Sequence, residues 1–252
     1  MVKTMVLSTI SAPFFCKHWF AVQLHLVDYS IIISILIMCH DNYIIIATEV
    51  YNMASNITEE ITNRIQKAEE GTIFLTGDFA DITSITTARK SLGRLVQRSI
   101  IRRVMDGVYE KPRFSTFLRE QLPTDPDAVA NALARYYHWN IAPAGDLALN
   151  KLGLSTQVPT VWSYISDGPY REFSWDNVRL SFKHRTNRDI SNMSDHTVMV
   201  IEALKTLGKD RVDDEIVKIL KEKIPEKEKT ILKEEAYSSA EWLSEVIRKV
   251  CN

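Results

Sequence analysis

The sequence predicts an α+β fold in two parts: a small unit of helices and a hairpin, then a mixed helical and antiparallel-sheet domain. Two observations support this division. A basic amphipathic helix and a tight hairpin stand together between residues 82 and 111, and three strand candidates stand together between residues 160 and 184. With 252 residues, 45% of them hydrophobic, the chain is long enough to bury one or two cores.

The basic helix follows Ser84, a residue type that caps helix N-termini. Apolar residues then recur at helical spacing, at Ile85, Ala88, Leu92, Leu95 and Val96. A β-branched run over Ile100–Val104, the turn dipeptide Asp106-Gly107 and a return strand from Val108 predict the hairpin.

Three shorter elements are predicted before this helix: a helix over Thr58–Glu69, a strand at Ile73–Leu75 and a brief helix over Asp78–Ile82. Helix, strand, helix, helix and hairpin is the order of a winged helix-turn-helix, which we place at residues 55–113.

Positive charge is concentrated in this unit. Between Ile82 and Met105 there are six Arg or Lys residues and no Asp or Glu, although the formal net charge of the whole chain is −1. Four of the cations lie away from the apolar stripe of the basic helix, namely Arg89, Lys90, Arg94 and Arg98. A cationic face of this kind is what phosphate binding requires, although many such faces are only solvated.

Residues 114–126 are expected to form a linker, because Pro112, Pro123 and Pro126 interrupt regular structure. The second domain, residues 127–252, is expected to contain a helix over Asp127–Trp139, three strands, a helix over Ser194–Leu207 and a charged helical tail from Asp210. The strands are predicted at Thr160–Ile165, Tyr170–Phe173 and Val178–His184, with turns at Asp167-Gly168 and Asp176-Asn177.

Residues 1–52 differ in composition from the rest, since all eight glycines lie at or beyond Gly71. We interpret this stretch as an over-extended gene start outside the fold. A membrane-associating leader and an additional β-rich element are the alternatives. The apolar run at residues 30–39 is shorter than the roughly 20 residues that span a bilayer.

No motif for catalysis is present. The sequence has no GxSxG elbow, no P-loop and no GxGxxG, and its three cysteines (Cys16, Cys39 and Cys251) show no metal-ligand spacing with the six histidines. We therefore expect no enzymatic activity, no cofactor, no metal and a reducing compartment.

A short predicted helix at residues 143–153 is followed by a polar connector that ends at Pro159. Asn150, Ser155, Thr156 and Gln157 are candidates for a polar binding surface. The alternative is that they cap the helix and satisfy backbone groups at a turn.

This segment resembles AbiE-type abortive-infection antitoxins of type IV toxin–antitoxin systems, together with Thr76-Gly77-Asp78-Phe79, Gly93-Arg94-Leu95 and Asp106-Gly107-Val108-Tyr109. The match is to a branch with an Ala-Leu-Asn-x-Leu-Gly-Leu-Ser-Thr-Gln-Val-Pro signature, here Ala148–Pro159, and it covers about residues 57–207.

The resemblance implies a cytoplasmic transcriptional regulator and antitoxin that binds double-stranded DNA repeats in its own promoter. It also implies that the protein counteracts a nucleotidyltransferase-like toxin without a stable complex, and that it does not associate with membranes. The candidate DNA contacts are Ser84, Arg89, Lys90, Arg94, Arg98 and the wing residues Arg102 and Arg103.

Two other functions are compatible with the sequence. The first is a stand-alone winged-helix regulator whose second domain senses a ligand or a protein, with a ligand pocket lined by Trp162, Tyr164 and Trp175. The second is an interaction protein whose winged helix binds protein and whose basic face is only solvated.

Overall fold

The computed structural model describes residues 56–185, 193–238 and 240–252, together with the backbone of three strands nearer the N-terminus. The fold is α+β, as predicted. The chain divides into two compact units, Met1–Thr62 and Asn63–Asn252.

The first unit contains an antiparallel sheet of β1 (Leu7–Ile10), β2 (Trp19–Leu24) and β3 (Ser34–Met38), in the order β1-β2-β3. Helix α1, residues 56–67, begins in this unit. The remainder of residues 1–55 lies outside the described residues, so the interpretation of residues 1–52 as an over-extended start stays a prediction.

In the second unit, α1 is followed by β4 (Ile73–Leu75), a 3-10 turn (Thr76–Phe79), α2 (Ile85–Gln97), β5 (Arg102–Met105) and β6 (Val108–Glu110). The three strands form an antiparallel sheet in the order β4-β6-β5. The turn between β5 and β6 lies at the predicted Asp106-Gly107 dipeptide. Gly107 has a φ of +74°, which glycine adopts without strain.

The brief helix predicted over Asp78–Ile82 is instead this single 3-10 turn, which begins two residues earlier. The Asp78 carboxylate accepts a hydrogen bond from the Leu75 N–H at 2.9 Å, so the turn starts directly at the end of β4. The predicted linker also contains regular structure, a two-stranded hairpin of β7 (Phe114–Ser115) and β8 (Glu120–Gln121).

Beyond the hairpin lie α3 (Pro126–Tyr137), β9 (Ile141–Pro143), α4 (Asp146–Lys151), β10 (Trp162–Ser166), β11 (Arg171–Trp175) and β12 (Val178–His184). The strands form one sheet in the order β11-β12-β10-β9. The prediction of an antiparallel sheet is wrong for one pair, because β10 and β12 are parallel. Asp176-Asn177 does join the antiparallel pair β11 and β12, whose register ends at Trp175 opposite Val178.

The predicted hairpin turn at Asp167-Gly168 is also wrong, because β12 lies between β10 and β11. The Asp167 carboxylate accepts hydrogen bonds from the Asn140 backbone N–H (2.9 Å) and side-chain amide (2.8 Å). A Cβ on Gly168 would lie 2.3 Å from the Trp139 indole. This loop is therefore held against the end of α3, and it does not form a tight turn between neighbouring strands.

After β12, the described residues contain four α-helices: α5 (Asp195–Leu207), α6 (Asp214–Lys223), α7 (Glu226–Glu235) and α8 (Glu241–Cys251). They bury apolar residues together with α4, including Leu152, Leu204, Leu220, Leu232 and Ile247. The charged tail after Asp210 is therefore part of a helical core.

A second hydrophobic cluster contains residues from both sides of the predicted linker. Ile73, Leu75 and Val108 of the small sheet pack with Leu133 of α3 and Phe182 of β12. The two predicted domains consequently share packing in the second unit. Among the helices that the structure describes, none is long and apolar enough to cross a membrane.

Candidate nucleic-acid interface

Helix α2 buries one face and exposes the other. Ala88, Ser91, Leu92 and Leu95 are buried. Ile85, which was predicted to face the core, is 51% exposed, and Ser91 takes a buried position that the apolar pattern did not indicate. The buried face is thus rotated slightly from the predicted stripe, since Ser91 is buried and Ile85 is not.

Ser84 caps the helix as predicted, since its hydroxyl oxygen accepts a hydrogen bond from the Thr87 N–H at 3.3 Å. This role occupies the Ser84 side chain at the helix N-terminus, where unpaired backbone N–H groups favour anions.

The outward face of α2 carries the predicted cations. At 3.6 residues per turn, Thr86, Lys90, Gly93 and Gln97 form one ridge opposite the buried face, with Arg89 and Arg94 on either side of it. Arg89 and Lys90 are exposed and Arg94 is partly exposed. Within the described ranges, no acidic side chain lies within ion-pair distance of these three cations. Arg98 is exposed at the C-cap.

The turn before α2 is fixed by an ion pair. The Arg64 guanidinium donates to both carboxylate oxygens of Asp81, at 2.9 and 2.5 Å, and to the Asp78 carbonyl at 2.9 Å. The hydrogen bonds from Arg64 hold the pKa of the Asp81 carboxyl below its usual value. These contacts join α1 to the turn before α2, a link between distant residues that sequence patterns alone do not reveal.

The two arginines of the β5–β6 hairpin, Arg102 and Arg103, have different surroundings. Arg103 is exposed and pairs with Asp106 across the turn at 2.6 Å, which partly neutralises the tip. Arg102 is half-buried and donates to the Glu110 carboxylate (2.5 Å), the Leu122 carbonyl (3.1 Å) and the Thr124 hydroxyl (2.9 Å).

Glu110 is only 1% exposed, so Arg102 compensates a buried carboxylate. The structure thus gives Arg102 a structural role that attaches β5 to the segment before α3. We leave Arg102 out of the proposed contact surface.

The polar residues of the signature also differ in their surroundings: two hold the loop after α4 and two are exposed to solvent. The Asn150 amide donates to the carbonyls of Ser155 (3.3 Å) and Gln157 (3.0 Å), and the Ser155 hydroxyl accepts from the Gln157 N–H (3.2 Å). These bonds hold the loop after α4. Of these four residues, Thr156 and Gln157 have exposed side chains that make no hydrogen bond to the described residues.

The aromatic residues suggested as a ligand pocket lie in the hydrophobic core. Tyr164 and Trp175 are buried in the cluster formed with α3, and Trp162 packs against it. The Tyr164 hydroxyl donates to the Asp127 carboxylate, which also accepts from Lys151 Nζ at 2.6 Å. Burial is the larger cause, and the hydrogen bond to Asp127 the smaller one, that raises the pKa of Tyr164 far above its ordinary value.

No group of three or more His, Cys, Asp or Glu side chains is placed to hold a metal ion in the part of the chain that the structure describes. Thr86 and Gln97 on the outward ridge of α2 were not among the predicted site residues, and Gly93 entered only through the Gly93-Arg94-Leu95 part of the family resemblance. A glycine inside a helical pattern was the signal available for them.

The family model described as a family of unknown function (DUF6088) matches residues 60–233. The match includes α2, the β5–β6 hairpin and the loop after α4. A search of curated proteins returned no match to this chain. Because the match covers more than half of the chain, the chain belongs to this family of unknown function, DUF6088.

Proposed function

We propose that this protein binds double-stranded DNA and represses its own promoter. In this proposal α1, the 3-10 turn, α2 and the β4-β6-β5 sheet form a winged helix-turn-helix, and α2 enters the major groove. The observation that carries the proposal is the outward face of α2, where Arg89, Lys90 and Arg94 have no acidic partner among the described residues.

The charge distribution supports this choice. A chain of net charge −1 has no general attraction for DNA, so binding would have to come from a local cationic surface. The Arg64–Asp81 ion pair joins α1 to the turn before α2, and the Ser84 cap satisfies a backbone N–H at the helix start. A helix that is already formed needs less ordering on binding, which reduces the entropic cost of association.

We further propose that the protein is the antitoxin of a type IV pair and acts in the cytoplasm against a nucleotidyltransferase-like toxin. The support is the resemblance of Ala148–Pro159 to the antitoxin signature. Of the four polar candidates in the signature, Thr156 and Gln157 have exposed side chains, whereas Asn150 and Ser155 maintain the loop.

The DNA proposal is tested by fluorescence anisotropy with a labelled duplex from upstream of the gene. Full-length protein is expected to bind this duplex more tightly than a scrambled duplex, with an affinity that falls as salt rises. Equal affinity for the two duplexes would leave only non-specific binding and would contradict autorepression.

The antitoxin proposal is tested in cells that express the neighbouring toxin from a separate promoter. The double substitution Thr156→Ala with Gln157→Ala is expected to reduce protection while DNA binding is unchanged. Asn150→Ala is the structural control, because it removes two loop hydrogen bonds and is expected to lower the free energy of unfolding by about 1 kcal/mol. Full protection by the double variant would contradict this surface assignment.

A further inference from the structure

Gly93 is an interior residue of α2 that has no structural explanation within the protein. It does not adopt a positive φ, and a Cβ built at this position would meet no atom within 4 Å. A glycine in a helix interior destabilises the helix relative to an alanine at the same position. The fold therefore gains nothing from a glycine at this position.

Longer side chains surround this bare backbone. Lys90 and Gln97 precede and follow Gly93 along the same ridge, one turn away in each direction, and Arg89 and Arg94 border the ridge. The centre of the cationic face is consequently a notch in which helix backbone, and no side chain, is exposed to a ligand.

We propose that Gly93 is the point at which α2 approaches the floor of the DNA major groove most closely. This inference rests on the proposed DNA-binding function. The flanking cations then reach the phosphates on the two sides of the groove, while base edges lie over the notch. A side chain at position 93 would occupy the space of the bases and hold the whole helix away from the groove.

Substitutions at Gly93 are expected to change the stability of the fold and the affinity for DNA in opposite directions. Substitution of Gly93 by a better helix former stabilises the folded protein, because nothing obstructs the new side chain. The same substitution weakens DNA binding, and the loss increases with the size of the side chain. A role of Gly93 in folding alone would give the opposite effect on stability and no dependence of binding on size.

The experiment compares Gly93→Ala and Gly93→Leu with wild type in the full-length protein, using thermal unfolding and anisotropy with the upstream duplex. Gly93→Ala is expected to raise the melting temperature by about 2–4 °C. The dissociation constant is expected to rise about tenfold for Ala and about 100-fold for Leu, in line with the loss of one or two base contacts.

Thr230→Leu provides the matched control, because it adds a similar side chain to an exposed position of α7. It is expected to leave DNA binding unchanged. If both Gly93 variants bind the duplex as tightly as wild type while Arg89→Ala weakens binding, the close approach of Gly93 to the groove is contradicted and the DNA-binding proposal stands. If wild type itself does not distinguish the upstream duplex from a scrambled one, the proposed function fails.

Discussion

Replacing Arg89, Lys90 and Arg94 together by alanine tests whether these cations contact phosphates. Each phosphate contact steepens the plot of log affinity against log salt by about 0.9. Loss of three contacts should therefore reduce the slope by about 2.7. Between 50 and 200 mM salt, the wild type should lose about 40-fold more affinity than the triple variant does. The fold is expected to remain intact, because these side chains lie on the outward face of α2.

The measurement is fluorescence anisotropy at four or five salt concentrations, with circular dichroism to verify the fold. The matched control replaces Lys218, Lys221 and Lys249, three exposed lysines of the C-terminal helices, by alanine. It changes the net charge equally and should leave the slope within about 0.5 of the wild-type slope. Equal slopes for the α2 variant and wild type would refute the assignment of phosphate contacts to α2.

Three further predictions concern the scaffold, and each is checked by urea unfolding. Arg102→Met should lower the free energy of unfolding by about 2 kcal/mol, because it leaves a buried carboxylate without its cation, whereas Arg103→Ala should change it by less than about 0.5 kcal/mol. Gly168→Ala should cost about 2 kcal/mol, since the new Cβ would overlap the Trp139 indole; an unchanged urea midpoint would show that the loop yields. Burial and a hydrogen bond to a carboxylate raise the pKa of Tyr164 above its ordinary value of about 10. The contribution of the protonated Tyr164 hydroxyl to folding stability is therefore complete below pH 10 and is lost as the pH rises further. The midpoint should therefore fall more between pH 9 and pH 11 in wild type than in Tyr164→Phe.

The elements that depend on local sequence were predictable. The basic helix α2, its Ser84 cap and the Asp106-Gly107 turn follow from residues close to one another in the chain, and the structure contains all three. The outward direction of Arg89 and Lys90 follows from helical periodicity alone.

The features that depend on distant residues were not predictable in this way. The parallel pairing of β10 with β12 arises because β12 enters the sheet between β10 and β11, and no local sequence pattern encodes that placement. Arg102 resembled the other cations in the sequence, but a carboxylate buried in the adjacent strand determines its role. Ser91 is buried because it is small enough to pack, which hydrophobic periodicity does not record.

Contact between α2 and DNA is tested most directly by a site-specific photo-crosslink from this helix. Benzoylphenylalanine would replace Gln97 on the outward ridge of α2 and, in a second variant, Thr230 on α7. We expect a crosslink to the upstream duplex from position 97 and none from position 230. If both variants still bind the duplex and position 97 gives no more crosslink than position 230, α2 is not the surface that meets DNA.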